Sequence, residues 1–98
     1  MYNRNVITTV LLTKEAEKQL QKCPRHVAVK LQAWLESVEN DGLEETKKIP
    51  GFHDEPLKGR LKGQRSIRLS RAYRAIYTLK TTAAAKFVRI VKVTKHEY

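Results

Sequence analysis

The apolar positions change their period partway along the chain. Val6, Ile7, Val10, Leu11 and Leu12 crowd together with Thr8 and Thr9, so Asn5 to Leu12 is predicted as a first strand. Thr13 then suits a helix N-cap, with Glu15 and Glu17 near the positive end of a short helix. Ala16, Leu20 and Cys23 share one face of that helix. Pro24 fits the first position of the next one, where its missing N–H costs nothing. Val27, Leu31, Trp34, Leu35 and Val38 recur at helical spacing, which predicts an amphipathic second helix ended by Asn40-Asp41-Gly42. Leu43 to Lys48 has room for one further turn before Pro50-Gly51 breaks the chain.

Beyond that break the period shortens to two. Gln64 to Leu69, Tyr73 to Leu79 and Lys86 to Thr94 are β-rich runs, joined by a tight turn near Ser70-Arg71 and by Lys80 to Ala85. Connections this short imply an antiparallel meander. Within Ser66-Ile67-Arg68-Leu69, Ile67 and Leu69 face a core while Ser66 and Arg68 face away. With no repeat, low-complexity segment or linker, residues 1–98 are expected to form one α+β domain. Its elements are an N-terminal strand, two helices and a three-stranded antiparallel meander. The helices back one face of the sheet and leave the other rich in Arg and Lys.

Composition narrows the function classes. A 98-residue chain buries about two thirds of its unfolded surface, enough for one site but not for two nucleotide-binding halves. With 41% hydrophobic and 31% charged residues, it is too apolar for wholesale disorder and too charged for a membrane span. The longest uncharged stretch, Asn5 to Thr13, falls far short of the roughly 20 residues a spanning helix needs. No small-x-small cleavage site follows it, and a soluble cytoplasmic protein is expected. A single cysteine, Cys23, excludes an internal disulfide and a multi-Cys zinc site.

The net charge of +10 is unevenly spread. Residues 1–55 hold eight Lys/Arg against nine Asp/Glu, whereas residues 56–98 hold twelve against the lone acid Glu97. Lys58, Arg60, Lys62, Arg65, Arg68, Arg71 and Arg74 fall within seventeen residues with no acid between them. A solubilising face usually mixes both signs. Self-repulsion in this run would be relieved by a polyanion, which points to nucleic acid or another acidic partner.

Candidate chemistry clusters in the same region. Glu55, beside a proline-stiffened turn and three residues before the first of those cations, has the right group to take a proton from a ribose 2′-OH. Position alone favours instead an exposed turn residue that neutralises Lys58, and more strongly so for His53 and Asp54. Arg68 and Arg74 lie on adjacent strands, where a permanently charged guanidinium fork can hold a phosphate, act as a nonspecific backbone contact or form a surface ion pair. Lys58, Arg60, Lys62, Arg65 and Arg71 fit a nonspecific RNA-binding role. His96 and Tyr98, in the final Lys95-His96-Glu97-Tyr98, offer an acid or base near neutral pH and a phenol or stacking ring, or belong to a frayed end. There is no glycine-rich phosphate loop, HExxH, cysteine pair or GxSxG. His26, His53 and His96 lack metal-ligand spacing, so no metal and no cofactor is expected. Trp34 reads as a helix core residue, and Cys23 as a small, partly buried one.

The run DEPLKGRLKGQRSIRLSRAYRAIYTL (Asp54 to Leu79), followed by a strand ending in VTKHEY (Val93 to Tyr98), resembles the RelE/ParE toxin superfamily. Within it, the RelE, YoeB and HigB-like ribosome-dependent mRNA interferases are the nearest in pattern. The resemblance implies a microbial-RNase-like α+β fold of one strand, two helices and a three-stranded meander. It also implies a type II toxin that cuts mRNA in the ribosomal A site without a metal or cofactor. A cognate antitoxin would cover the active face, and operator DNA would be met only through that complex. Transferred residue by residue, Glu55 matches the general-base glutamate of YoeB-type members and Arg74 the arginine that stabilises the scissile phosphate. Arg68 matches a phosphate-contacting strand arginine, Lys58 a basic residue beside the site, and Tyr98 the C-terminal tyrosine. In YoeB-type members a histidine immediately precedes that tyrosine, whereas here Glu97 stands there and His96 lies one residue further back.

Three functions follow as alternatives. The first is in-line attack by a ribose 2′-OH assisted by Glu55, with Arg74 and Arg68 stabilising the phosphorane-like state and His96 or Tyr98 protonating the departing oxygen. Its partners would be mRNA, the ribosome with its 16S rRNA, and the antitoxin. The second is a ParE-like toxin of the same fold that inhibits gyrase and cuts no RNA. A plain nucleic-acid-binding module is the third.

Overall fold

The computed structural model describes residues 6–95. Expectations resting on Asn5, His96 and Tyr98 lie outside them. The element order is β1 (Val10–Leu12), α1 (Lys14–Gln21), α2 (Arg25–Asp41), α3 (Leu43–Lys47), β2 (Glu55–Pro56), β3 (Arg65–Arg68), β4 (Tyr73–Thr81) and β5 (Lys86–Lys95). Short 3₁₀ turns cover Pro50–Phe52 and Gly59–Leu61. The fold class is mixed α+β, as the change of period predicts.

The sheet is wider than a three-stranded meander. Its order is β1-β5-β4-β3-β2, with β1 parallel to β5 and every other pair antiparallel. The first strand is also shorter than expected. Ahead of Val10, the Ile7 carbonyl accepts from Leu43 N instead of from a neighbouring strand. Hydrophobic pattern alone could not reveal that diversion. Lys80 and Thr81 extend β4, leaving Thr82–Ala85 as the connection, where the Thr82 hydroxyl accepts from the amides of Ala84 and Ala85.

Local chemistry sets the helix ends. Thr13 caps α1, its Oγ1 accepting from Ala16 N at 3.1 Å. Pro24 sits one position earlier than predicted, as the N-cap of α2 with extended ψ of 151°. Gly42 joins α2 to α3 with φ 89° and ψ 159°, a conformation that a side chain almost never adopts. A Cβ there would also stand 2.8 Å from Val6 Cγ1.

Helix α2 buries Val27, Leu31, Trp34 and Val38 in one cluster with the sheet residues Ile67, Ala75, Tyr77, Val88 and Ile90. Trp34 and Tyr77 are fully buried, with ring centroids 5.2 Å apart, so the expected core role of Trp34 holds. Truncating a large aliphatic side chain here would cost about 2–5 kcal/mol. That rigidity matters because the other side of the same strands carries the candidate site.

Candidate active site

Register decides which side chains meet. Ile67, Ala75, Tyr77, Ile90 and Val93 point toward the helices. Their neighbours in the chain must then point the other way. Cross-strand pairs on this open face are Glu55 with Ser66, Ser66 with Ile76, Arg68 with Arg74, Arg74 with Thr94, Ile76 with Lys92, and Thr78 with Arg89. A β-bulge between Ile76 and Tyr77 keeps the two faces separate along the long β4–β5 ladder.

Glu55 and Arg74 converge. Arg74 Nη1 donates to Glu55 Oε1 at 3.4 Å. The Glu55 side chain is 59% exposed and that of Arg74 only 19%, so the carboxylate is open to solvent while the guanidinium is held in place. Arg68 stands directly across from Arg74. Two like charges in that position repel, and Glu55 relieves only one of them. Among the described residues Arg68 has no carboxylate partner. A phosphate bridging the two guanidiniums would remove the repulsion.

Beneath this pair lies a second cluster that sequence reasoning missed. The Asp54 side chain is wholly buried; its Oδ1 accepts from Arg65 Nε at 2.7 Å and its Oδ2 from the Tyr77 hydroxyl at 2.5 Å. Burial first, then the Asp54 carboxylate, holds the Tyr77 phenol well above its ordinary pKa. Burial would lower the Arg65 pKa, but the hydrogen bond and charge of Asp54 outweigh it and raise the value. Asp54 thereby ties the two-residue strand β2 to both β3 and β4. His53, at φ 47° in the left-handed region, turns the chain just before it. No local signal marks this cluster, because its members are 11 and 23 positions apart.

The remaining candidates divide. Lys58, Arg60 and Lys62 are exposed on the loop between β2 and β3. Arg65 was grouped with them on sequence grounds, but it shares the helix-side face with Ile67 and is committed to Asp54. Arg71 is exposed at the β3–β4 turn, in a separate hollow with His26 and Lys95. Arg89 and Lys92 were not singled out from the sequence, yet their register adds them to the open face. The signal was the alternation of Val88-Arg89-Ile90. Cys23 is half-buried; its Sγ donates to the Gln19 carbonyl at 3.2 Å, and burial raises the thiol pKa.

A cleft of about 330 Å³ opens beside the Glu55–Arg74 pair, lined also by Leu57, Leu61, Ser66, Ile76 and Thr94. Its walls are mainly apolar. The Ser66 hydroxyl is buried there with no hydrogen-bond partner. Among the described residues no three His, Cys, Asp or Glu gather as a metal site, and no helix is long and apolar enough to cross a membrane.

The sequence matches no family model and no curated protein. Solved structures do match. The YoeB/ParE toxin from Agrobacterium tumefaciens is 17% identical, with a TM-score of 0.65 over 91% of this chain and 99% of its own. In the Escherichia coli DinJ-YafQ toxin-antitoxin complex the matching chain is 18% identical, with a TM-score of 0.68 over 92% and 94%. One chain of the RelBE2 toxin-antitoxin complex from Mycobacterium tuberculosis is 26% identical, with a TM-score of 0.57 over 90% and 96%. What they share with this chain is the fold.

Proposed function

For a chain with the fold of the RelE/YoeB-like toxin superfamily, we propose the role of an endoribonuclease toxin that cleaves mRNA on the ribosome. The observation that carries this reading is Glu55 within 3.4 Å of Arg74, with Arg68 directly opposite, on an open face whose charged strand residues are otherwise cations. A gyrase binder has no chemical need for that arrangement. Several matching structures are toxins captured with an antitoxin, which supports a toxin role and an antitoxin partner. A face this basic would attract an acidic segment that covers it.

The mechanism needs no metal. An incoming phosphodiester competes with Glu55 for Arg74 and settles between the two guanidiniums. Glu55 is then free to take the proton of the ribose 2′-OH as its oxygen bonds to phosphorus. Charge building on the phosphoryl oxygens is met by Arg74 and Arg68. The bond from phosphorus to the 5′-oxygen breaks, that oxygen gains a proton from His96 or Tyr98, and a 2′,3′-cyclic phosphate remains. Lys58, Arg60, Lys62, Arg89 and Lys92 hold the backbone and the surrounding rRNA.

The test is end-mapping of a translated mRNA in extracts supplied with wild-type or Arg74→Ala protein, with and without ribosomes. Ribosome-dependent ends made by wild type and reduced about 10²–10³-fold in the variant are expected. Equal cleavage by both removes Arg74 from the mechanism. No cleavage by wild type, together with inhibited gyrase supercoiling, overturns the nuclease reading in favour of the ParE-like alternative.

A further inference from the structure

The reading above uses the charged rim of the open face and leaves its apolar floor unexplained. Leu57, Leu61 and Ile76 line the cleft next to Arg74, and Leu61 remains 42% exposed on a face otherwise crowded with cations. Exposed leucine beside guanidinium is a poor solubilising surface, but such pairing of apolar and cationic groups is what an RNA nucleotide requires. Ser66 adds a second, independent observation. Its side chain lies in the same cleft, the residue is 1% exposed, and its hydroxyl has no partner. A buried hydroxyl left unpaired is costly, which makes it a waiting donor and acceptor for a ligand edge.

We propose that this cleft is a nucleobase subsite, holding the base of the nucleotide whose phosphate lies between Arg74 and Arg68. The flat faces of the base rest against Leu57, Leu61 and Ile76, and one polar edge reaches Ser66 Oγ. Arg74 belongs both to the phosphate-binding pair and to the cleft wall, so base and phosphate of one nucleotide can be held together. Ser66 donates and accepts equally well, so it tunes preference among bases, while the leucines supply affinity for any of them. This assignment rests on the reading of Arg74 and Arg68 as phosphate ligands.

The experiment is a methyl-detected NMR titration of the full chain with each of the four nucleoside 3′-monophosphates, with ribose 5-phosphate and with inorganic phosphate. The nucleotides are expected to bind about tenfold more tightly than ribose 5-phosphate and to shift the Leu57, Leu61 and Ile76 methyls. Leu61→Ala should abolish that difference and leave ribose 5-phosphate binding unchanged. Ser66→Ala, which removes only a hydroxyl that has no partner, should alter the ranking of the four bases.

Equal binding of nucleotides and ribose 5-phosphate, with unmoved cleft methyls, overturns the subsite while leaving the phosphate pair intact. Failure of every phosphate to bind overturns both. Nucleotide binding in the cleft by a protein that cuts no translated mRNA supports the subsite and overturns the nuclease reading alone. Cleft shifts caused only by an acidic leucine-containing peptide overturn the subsite and assign the floor to a protein partner.

Discussion

The Tyr77 hydroxyl donates to Asp54 Oδ2 at 2.5 Å, joining a core strand to the residue immediately before Glu55. Through that bond the packing of Trp34 on Tyr77 fixes where β2 lies. Glu55 is exposed, but the backbone carrying it is anchored from below. The position of the candidate base is thus set by the core instead of by the loop that follows.

Replacing Tyr77 by Phe leaves one oxygen of a buried carboxylate unpaired. Chemical denaturation should show a loss of about 1–3 kcal/mol. Asp54→Ala, which strands Arg65 as well, should cost about 3 kcal/mol or more.

The same phenol makes stability depend on alkaline pH. Its pKa is raised above 10.0 on folding, so the folded state keeps a proton that the unfolded state gives up. The contribution is complete below pH 10 and falls above it by about 1.4 kcal/mol per pH unit. Denaturation midpoints between pH 9 and 11.5 should therefore decline less steeply for Tyr77→Phe than for wild type.

Glu55→Gln and Lys58→Ala should separate chemistry from binding. In single-turnover cleavage on ribosomes, the first should lower the maximal rate by about 10²–10⁴-fold. The second should change mainly the concentration needed to reach that rate. Because Glu55 is mostly exposed, Glu55→Gln should leave thermal stability close to wild type.

Arg89 pairs with Thr78 and Lys92 with Ile76, so neither is a register partner of Glu55 or Arg74, and both should act only on affinity. RNA binding measured across a salt series should lose about 0.7 from its logarithmic slope for each of these side chains replaced by alanine. Unchanged slopes in both variants would remove that end of the sheet from the RNA track.

Gly42→Ala combines a forbidden backbone conformation with a 2.8 Å approach to Val6. A loss of about 1–3 kcal/mol in denaturation is expected, with no change in residues of the open face.

Much of this molecule was legible in the order of its residues. The spacing of Val27, Leu31, Trp34 and Val38 specified the buried side of α2, and the alternation around Ile67 specified which side of β3 carries Arg68. Those patterns are local, repeating every three to four or every two residues, so they survive without knowledge of the fold. Glu55, Arg68 and Arg74 could be singled out because functional groups and charge runs are also properties of the linear chain. Charge alone groups Arg65 with the RNA-facing cations, whereas its strand position sends the side chain toward Asp54.

Sequence by itself thus determined the two main helices, the three strands of the meander, the polarity of the sheet and the residue types available for phosphate chemistry. Only the tertiary structure decided that β2 adds to β3, that Glu55 reaches Arg74 across 19 intervening steps of chain, and that Leu57, Leu61 and Ser66 share a cleft. The physical reason is that strand register and loop return are set by the whole core at once. A shift of one residue exchanges the two faces, and no short stretch of sequence carries that information.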